Sequence, residues 1–145
     1  MKKFLVGSRA FFSGFKDFNS KDKDYLIIED SPRGYKWRKE QTLRGTCLFY
    51  YARQPVTEMI RRTLESGEAL CVGKFLVPEV MNALGGTVAD ILPLESLLPS
   101  LDEKHGYIAE IFHAVKENGS FELTYDQRKC AYETYKQARN NGKSV

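Results

Sequence analysis

Cysteine, histidine and tryptophan are scarce in this chain of 145 residues, which carries three, two and one of them. Cys47, Cys71 and Cys130 are odd in number and widely spaced. Neither a disulfide framework nor a paired-cysteine metal site is suggested, and a reducing, cytoplasmic setting is expected. No apolar run approaches the roughly 18 residues of a membrane helix, so no membrane partner is expected. The apolar start, Phe4-Leu5-Val6, stops at Gly7-Ser8-Arg9, too soon for the apolar stretch of a secretion signal. Internal repeats and low-complexity segments are also missing.

With 42% hydrophobic and 28% charged residues, the composition is that of an ordinary folded domain. The length suits one compact unit, so 1–145 reads as a single domain. Charge is uneven along it. Residues 1–53 hold twelve Lys and Arg against six Asp and Glu, whereas residues 54–145 hold ten against thirteen. A positive field over the first part favours polyanionic ligands such as a nucleoside triphosphate or nucleic acid.

Lys3 to Val6 reads as a strand breaking into a turn at Gly7-Ser8, and Ala10-Phe11-Phe12 as the start of a short helix. Lys21 to Ile28 passes from alternating charge into a continuous β-prone run, a strand with an acidic beginning and a buried end. Asp30-Ser31-Pro32 and Gly34 are turn chemistry. Tyr35 to Leu43 has no clean period and leaves strand and short helix both open. Thr46 to Tyr51 is β-branched and aromatic, hence a strand.

From Pro55 onward the pattern is helical. Val56, Met59, Ile60, Thr63 and Leu64 share one face, closed by Gly67, and a second helix is expected over Leu70 to Leu84, interrupted by Pro78 and stopped by Gly85-Gly86. Ser100 with Glu103 predicts a capping box before a helix ending at Asn118-Gly119. Thr124 with Gln127 predicts another before a last helix to about Arg139. The expected fold is α+β, a small mixed sheet over 1–53 followed by a helical region over 54–145.

Asp22 and Asp24 share one side of their strand, roughly 6–7 Å apart at the backbone. Mg²⁺ takes oxygen ligands, keeps several waters and is held by one or two carboxylates together with substrate phosphates. The pair therefore suits a metal–triphosphate complex better than a protein-only cage. Gly7 permits close backbone approach to an anion, Ser8 adds a hydroxyl donor, and Arg9 offers a bidentate cation for a phosphate.

Gly7-Ser8-Arg9-Ala10, a loop, and Asp22-Lys23-Asp24 followed by Tyr25-Leu26-Ile27-Ile28 resemble the signature of the DNA polymerase beta-like nucleotidyltransferase superfamily. The first fifty or so residues carry it, and the Gly-Ser-Arg-Ala form is similar to the nucleotidyltransferases of phages and bacteria. The resemblance implies transfer of a nucleoside monophosphate from a Mg²⁺-bound nucleoside triphosphate to a hydroxyl, on RNA, a protein or a small molecule. It makes Asp22 and Asp24 the metal ligands and sets Gly7 and Ser8 on the β and γ phosphates. It also implies a third carboxylate on a later strand. Thr46 to Tyr51 has none, and Glu29 and Asp30 lie at the far end of the motif strand. Glu40 is the nearest candidate if Lys36 to Thr42 is the relevant strand. Without a third acid the expectation becomes a relative that binds nucleotide or a protein partner in a regulatory, antitoxin-like role.

Lys74 reaches a triphosphate if its helix faces the sheet and otherwise snorkels to the surface. Tyr35, Trp37, Arg38, Lys39 and Arg44 form a basic, aromatic cluster that suits either nucleic acid or a half-buried strand. His105 and the pair Glu110 and His113 lack partner ligands and read as packing or surface groups. The three cysteines read as packing residues.

Overall fold

The computed structural model describes residues 2–29, 38–52, 55–68 and 70–143, except for the side chains of 71 and 141–143. The turn residues expected over 30–34, and Tyr35 and Trp37, lie outside the described residues. Two compact units divide the chain, Met1–Gly86 and Thr87–Val145. The first holds the sheet and also the helices through Leu84, so the sheet's unit extends well beyond residue 53.

A four-stranded mixed sheet is built from β1 (Lys2–Val6), β2 (Lys23–Glu29), β3 (Arg38–Gln41) and β4 (Thr46–Ala52) in the order β1-β2-β4-β3. β1 runs antiparallel to β2, β2 parallel to β4, and β3 antiparallel to β4. Within the described part of Tyr35 to Leu43, the open choice resolves as the edge strand β3 over Arg38–Gln41. It is exposed along its length and rich in charge, as an edge needs to be to discourage pairing with other chains.

Period-two alternation gives the sheet two unlike faces. Val6, Leu26, Ile28, Phe49 and Tyr51 lie on one side and are almost wholly buried. On the other, Lys3 stands over the Tyr25 ring and Arg38 over Tyr50, covering half-buried aromatics with basic side chains. The α1 helix (Ser8–Phe12) follows the turn at Gly7, and its Phe12 ring meets Phe11, Phe15 and Phe18 in an aromatic cluster.

The buried face is covered by helices that follow β4. In α2 (Val56–Glu65), Val56, Met59, Ile60 and Thr63 point inward, while Glu58 pairs with Arg61 and Arg62 on the solvent side. Pro78 splits the expected second helix into α3 (Cys71–Phe75) and α4 (Pro78–Leu84). Proline is welcome at a helix start but cannot continue one, and α4 ends on left-handed Gly85. The Tyr51 hydroxyl meets Thr63 Oγ1 at 2.9 Å, and Thr63 donates to the Met59 carbonyl at 2.8 Å. The Phe75 ring lies 6.3 Å from that of Tyr51. These contacts fix α2 and α3 over β4.

In the second unit, α5 (Val88–Ile91) leads into 3₁₀ turns at Leu92–Ser100 and Glu103–His105, then α6 (Gly106–Asn118) and α7 (Tyr125–Lys143). The capping box expected from Ser100 and Glu103 does not form. Pro93 and Pro99 hold that stretch as 3₁₀, and Ser100 Oγ donates to the Leu97 carbonyl at 2.6 Å. The box at Thr124 and Gln127 does form, with N–H donation in both directions at 3.0 and 3.2 Å. Tyr107 against Tyr135 at one end, and Asn118 bonded to Gln127 at the other, make α6 and α7 an antiparallel pair. No helix among the described residues is long and apolar enough to cross a membrane.

The buried hydroxyl pair between β4 and α2 has a measurable consequence. Tyr51→Phe removes the donor to Thr63 while keeping the ring, and is expected to lower stability by about 1 kcal/mol in urea unfolding. Thr124→Ala, which removes the α7 cap, is expected to cost a similar ~1 kcal/mol.

Candidate functional site

β1 ends at Val6, directly opposite Asp24 on β2. The chain then leaves the sheet through Gly7, whose φ of +76° is a left-handed value that side chains resist. Space adds a second demand. A Cβ placed on Gly7 would stand 2.9 Å from Asp24 Oδ2, closer than real Cβ atoms come to a neighbour. The absent side chain of Gly7 is therefore the room in which the Asp24 carboxylate sits, and Ser8 opens α1 immediately beyond it.

Asp22 lies just before β2 and is exposed, with Oδ1 3.5 Å from where a Cβ on Gly45 would be. Gly45 itself has φ +74° in the turn between β3 and β4. Asp22 is thus held beside the β3–β4 turn, and Asp24 beside the β1–α1 turn. Their charges still feel one another. Burial chiefly, and the Asp22 carboxylate next, push the Asp24 carboxyl above its ordinary range, while the Lys74 and Lys39 ammonium groups pull it down and Glu68 raises it slightly.

Arg9 turns back onto the chain. Its guanidinium donates to the Ser20 carbonyl at 2.5 Å and to the Asp22 carbonyl at 3.3 Å, tying the loop ahead of β2 back to α1. The Asp22 N–H donates to Ser20 Oγ at 3.4 Å. The side chain considered as a phosphate clamp is thus a brace for the backbone that carries Asp22.

Lys74 does not snorkel. α3 turns it onto the sheet, where it is 1% exposed with its ammonium 3.5 Å from the centre of the Phe49 ring. There it acts electrostatically on Asp24. Lys39 lies on the same side of the sheet, since it pairs with Phe49, and its ammonium is 3.4 Å from Glu68 Oε2.

Glu40 is not brought to the pair. Register sets Glu40 against Leu48, one step out of phase with the row Gln41, Cys47, Asp24, so it faces the opposite side of the sheet. There its carboxylate pairs with Arg38 at 3.3 Å. The β4 residue beside Asp24 is Cys47, whose thiol burial pushes up. Elsewhere, His113 is exposed and Glu110 accepts a hydrogen bond from the Thr134 hydroxyl, so that pair gathers no ligand set.

No family model, curated protein or solved structure matches the chain. Among the described residues, no group of three or more His, Cys, Asp or Glu gathers closely enough to hold a metal by itself. A cation here would rest on Asp22 and Asp24 plus water or substrate oxygens, the manner in which Mg²⁺ is usually held. The donors fit it: two carboxyl groups, one desolvated and both repelling, are what a hard divalent cation relieves.

Sequence reasoning missed Lys39 and Glu68 as neighbours of the pair. Alternation along β3 separates Lys39 and Gln41 from Glu40, a signal available once that strand is assumed. Glu68 follows the helix-ending Gly67 in irregular chain, and no pattern marks it.

Because the folded state holds Asp24 above its ordinary value, it binds more protons than the unfolded state in the window above 3.8. Stability therefore falls as pH rises through that window. Asp24→Asn is expected to raise the thermal midpoint at neutral pH by a few degrees, the gain vanishing once pH drops below the ordinary aspartate range. Gly7→Ala, facing both the left-handed backbone and the 2.9 Å contact, is expected to lose about 2 kcal/mol or more in chemical unfolding.

Proposed function

We propose that this chain is a nucleotidyltransferase-like protein of the cytoplasm that binds a nucleoside triphosphate with Mg²⁺ and passes its nucleoside monophosphate to a hydroxyl acceptor. One observation carries the reading. Gly7 and Asp24, seventeen positions apart in sequence, meet so closely that the Asp24 carboxylate occupies the space of the missing Gly7 side chain. The Gly-Ser turn and the acidic start of β2, each common by chance, thus meet, which supports reading them together.

Asp22 and Asp24 would hold Mg²⁺, which when bound offsets phosphate charge and activates the attacking oxygen. The remaining work belongs to the chain. Gly7 and Ser8 present backbone and a hydroxyl to the phosphates. Arg9 braces the loop that carries Asp22, and Lys74 supplies a fixed counter-charge behind Asp24. In the transfer, the acceptor oxygen bonds to the α-phosphorus as the bond from that phosphorus to the β-phosphate oxygen breaks, and pyrophosphate departs with the electron pair. The acceptor proton passes to water, since Cys47 and Gln41 in the row of Asp24 offer no base. An RNA end or a protein hydroxyl is a fitting acceptor for the basic first part of the chain.

A second reading is favoured by one position. Cys47 stands in β4 beside Asp24, where a third carboxylate would have shared the metal, and its thiol is held protonated by burial. A relative that binds the nucleotide without efficient transfer, or docks a protein partner in an antitoxin-like role, has this form.

Incubation with each α-labelled nucleoside triphosphate and Mg²⁺, with and without RNA, distinguishes the two. Label transfer by the wild type, lost by at least a hundredfold in Asp22→Ala/Asp24→Ala, is the expected result. Mg²⁺-dependent binding in calorimetry with no transfer to any acceptor would establish the second reading, and neither binding nor transfer would sink both.

A further inference from the structure

We infer that Lys39 is a phosphate-binding residue of this site and that Glu68 holds it aside until a nucleotide arrives, an inference that rests on the nucleotide-binding reading above. Lys39 stands on edge strand β3, on the face that carries Asp24. Two strand spacings, about 10 Å, separate β3 from β2. That distance suits a lysine on one side and, on the other, a phosphate chain whose bound cation rests on the Asp24 carboxylate. Its ammonium already acts on Asp24 through space, in the direction that favours the ionised acid.

The contact with Glu68 is of a kind that is easily exchanged. The nitrogen–oxygen separation is 3.4 Å, and the Lys39 side chain is 42% exposed while that of Glu68 is 13% exposed. An ion pair this open to water contributes little, whereas a charge-assisted bond to a phosphate oxygen inside a cleft contributes more. Lys74, on the same face, is 1% exposed and packed over the Phe49 ring, so it is a fixed charge. Lys39 is the cation of this group that is free to follow a ligand. Glu68 sets the cost of that movement. With all groups ionised, Asp22, Asp24 and Glu68 exceed Lys39 and Lys74 by one negative charge, so removing Glu68 also makes the site less repulsive to an anion.

The test is calorimetric titration of the full chain with ATP, GTP, CTP and UTP in Mg²⁺, for wild type, Asp22→Ala/Asp24→Ala, Lys39→Ala, Lys39→Arg, Glu68→Gln and Lys39→Ala/Glu68→Gln. Lys39→Ala is expected to weaken binding by about tenfold or more, Lys39→Arg to retain most of it, and Glu68→Gln to tighten it a few-fold. The gain from Glu68→Gln should shrink to its small electrostatic remainder in the Lys39→Ala background, because Glu68 acts chiefly by occupying Lys39. Unchanged binding in Lys39→Ala, or an equal gain from Glu68→Gln in both backgrounds, overturns the inference while the nucleotide reading stands. Absence of binding by wild type overturns both.

Discussion

Antiparallel pairing of β1 with β2 is the constraint on which the chemistry of the first unit rests. It sets Val6 opposite Asp24, so the chain turns away from the sheet one residue later, against that carboxylate. The register is enforced by burial. Leu26 and Ile28 share the face of Asp24 and are almost wholly buried, contributing roughly 3–6 kcal/mol together. A slip of one residue would exchange the two faces of β2 and carry Asp24 to the other side of the sheet. The apolar residues of β2 thus hold the acid in position, although none of them is polar or reactive.

The same arrangement leaves Asp24 in an unfavourable setting when nothing is bound. It is partly desolvated, faces a second carboxylate, and is relieved only in part by Lys74 and Lys39. Proteins retain such costs where a ligand will relieve them, and stabilising substitutions at such places commonly forfeit function. Lys74 illustrates the compensation. A lysine 1% exposed is expensive, and the face of Phe49 together with the nearby acid supplies part of what water would have given. α3 is five residues long, and its amphipathic pattern is too brief to announce which way a single lysine points.

Local signals made much of the fold legible. Strands β1, β2 and β4 follow from β-prone runs beside turn residues, α2 and α6 from helical periodicity, and the α7 start from Thr124 and Gln127. The sequence misled where one rule met another: Ser100 with Glu103 has the spacing of a cap, but Pro99 and Pro93 commit the neighbouring chain to 3₁₀ geometry. At the site, the turn at Gly7 beside the acidic start of β2 could be read from type and spacing, because a left-handed turn and a close approach demand glycine. The surroundings could not. Whether Arg9 meets a phosphate or a carbonyl, and whether Lys74 faces water or the sheet, depends on side-chain direction and on elements that join only in three dimensions.

Glu40 and Cys47 bring this to its sharpest point. From sequence, Glu40 is the nearest acid to the motif in a segment that can be a strand, and distance along the chain says nothing against it. In the sheet, faces alternate, and register decides everything. Glu40 belongs to the row of Leu48 and Tyr25, on the side where Arg38 takes its charge, and no rotamer carries a side chain through a sheet to the other face. Gln41 and Cys47 fill the row of Asp24 instead, and both are neutral. Whether two acids or three share that face therefore turns on parity along two strands. Lys39, of the same parity as Gln41 and Cys47, brings a cation to that face where an acid was expected.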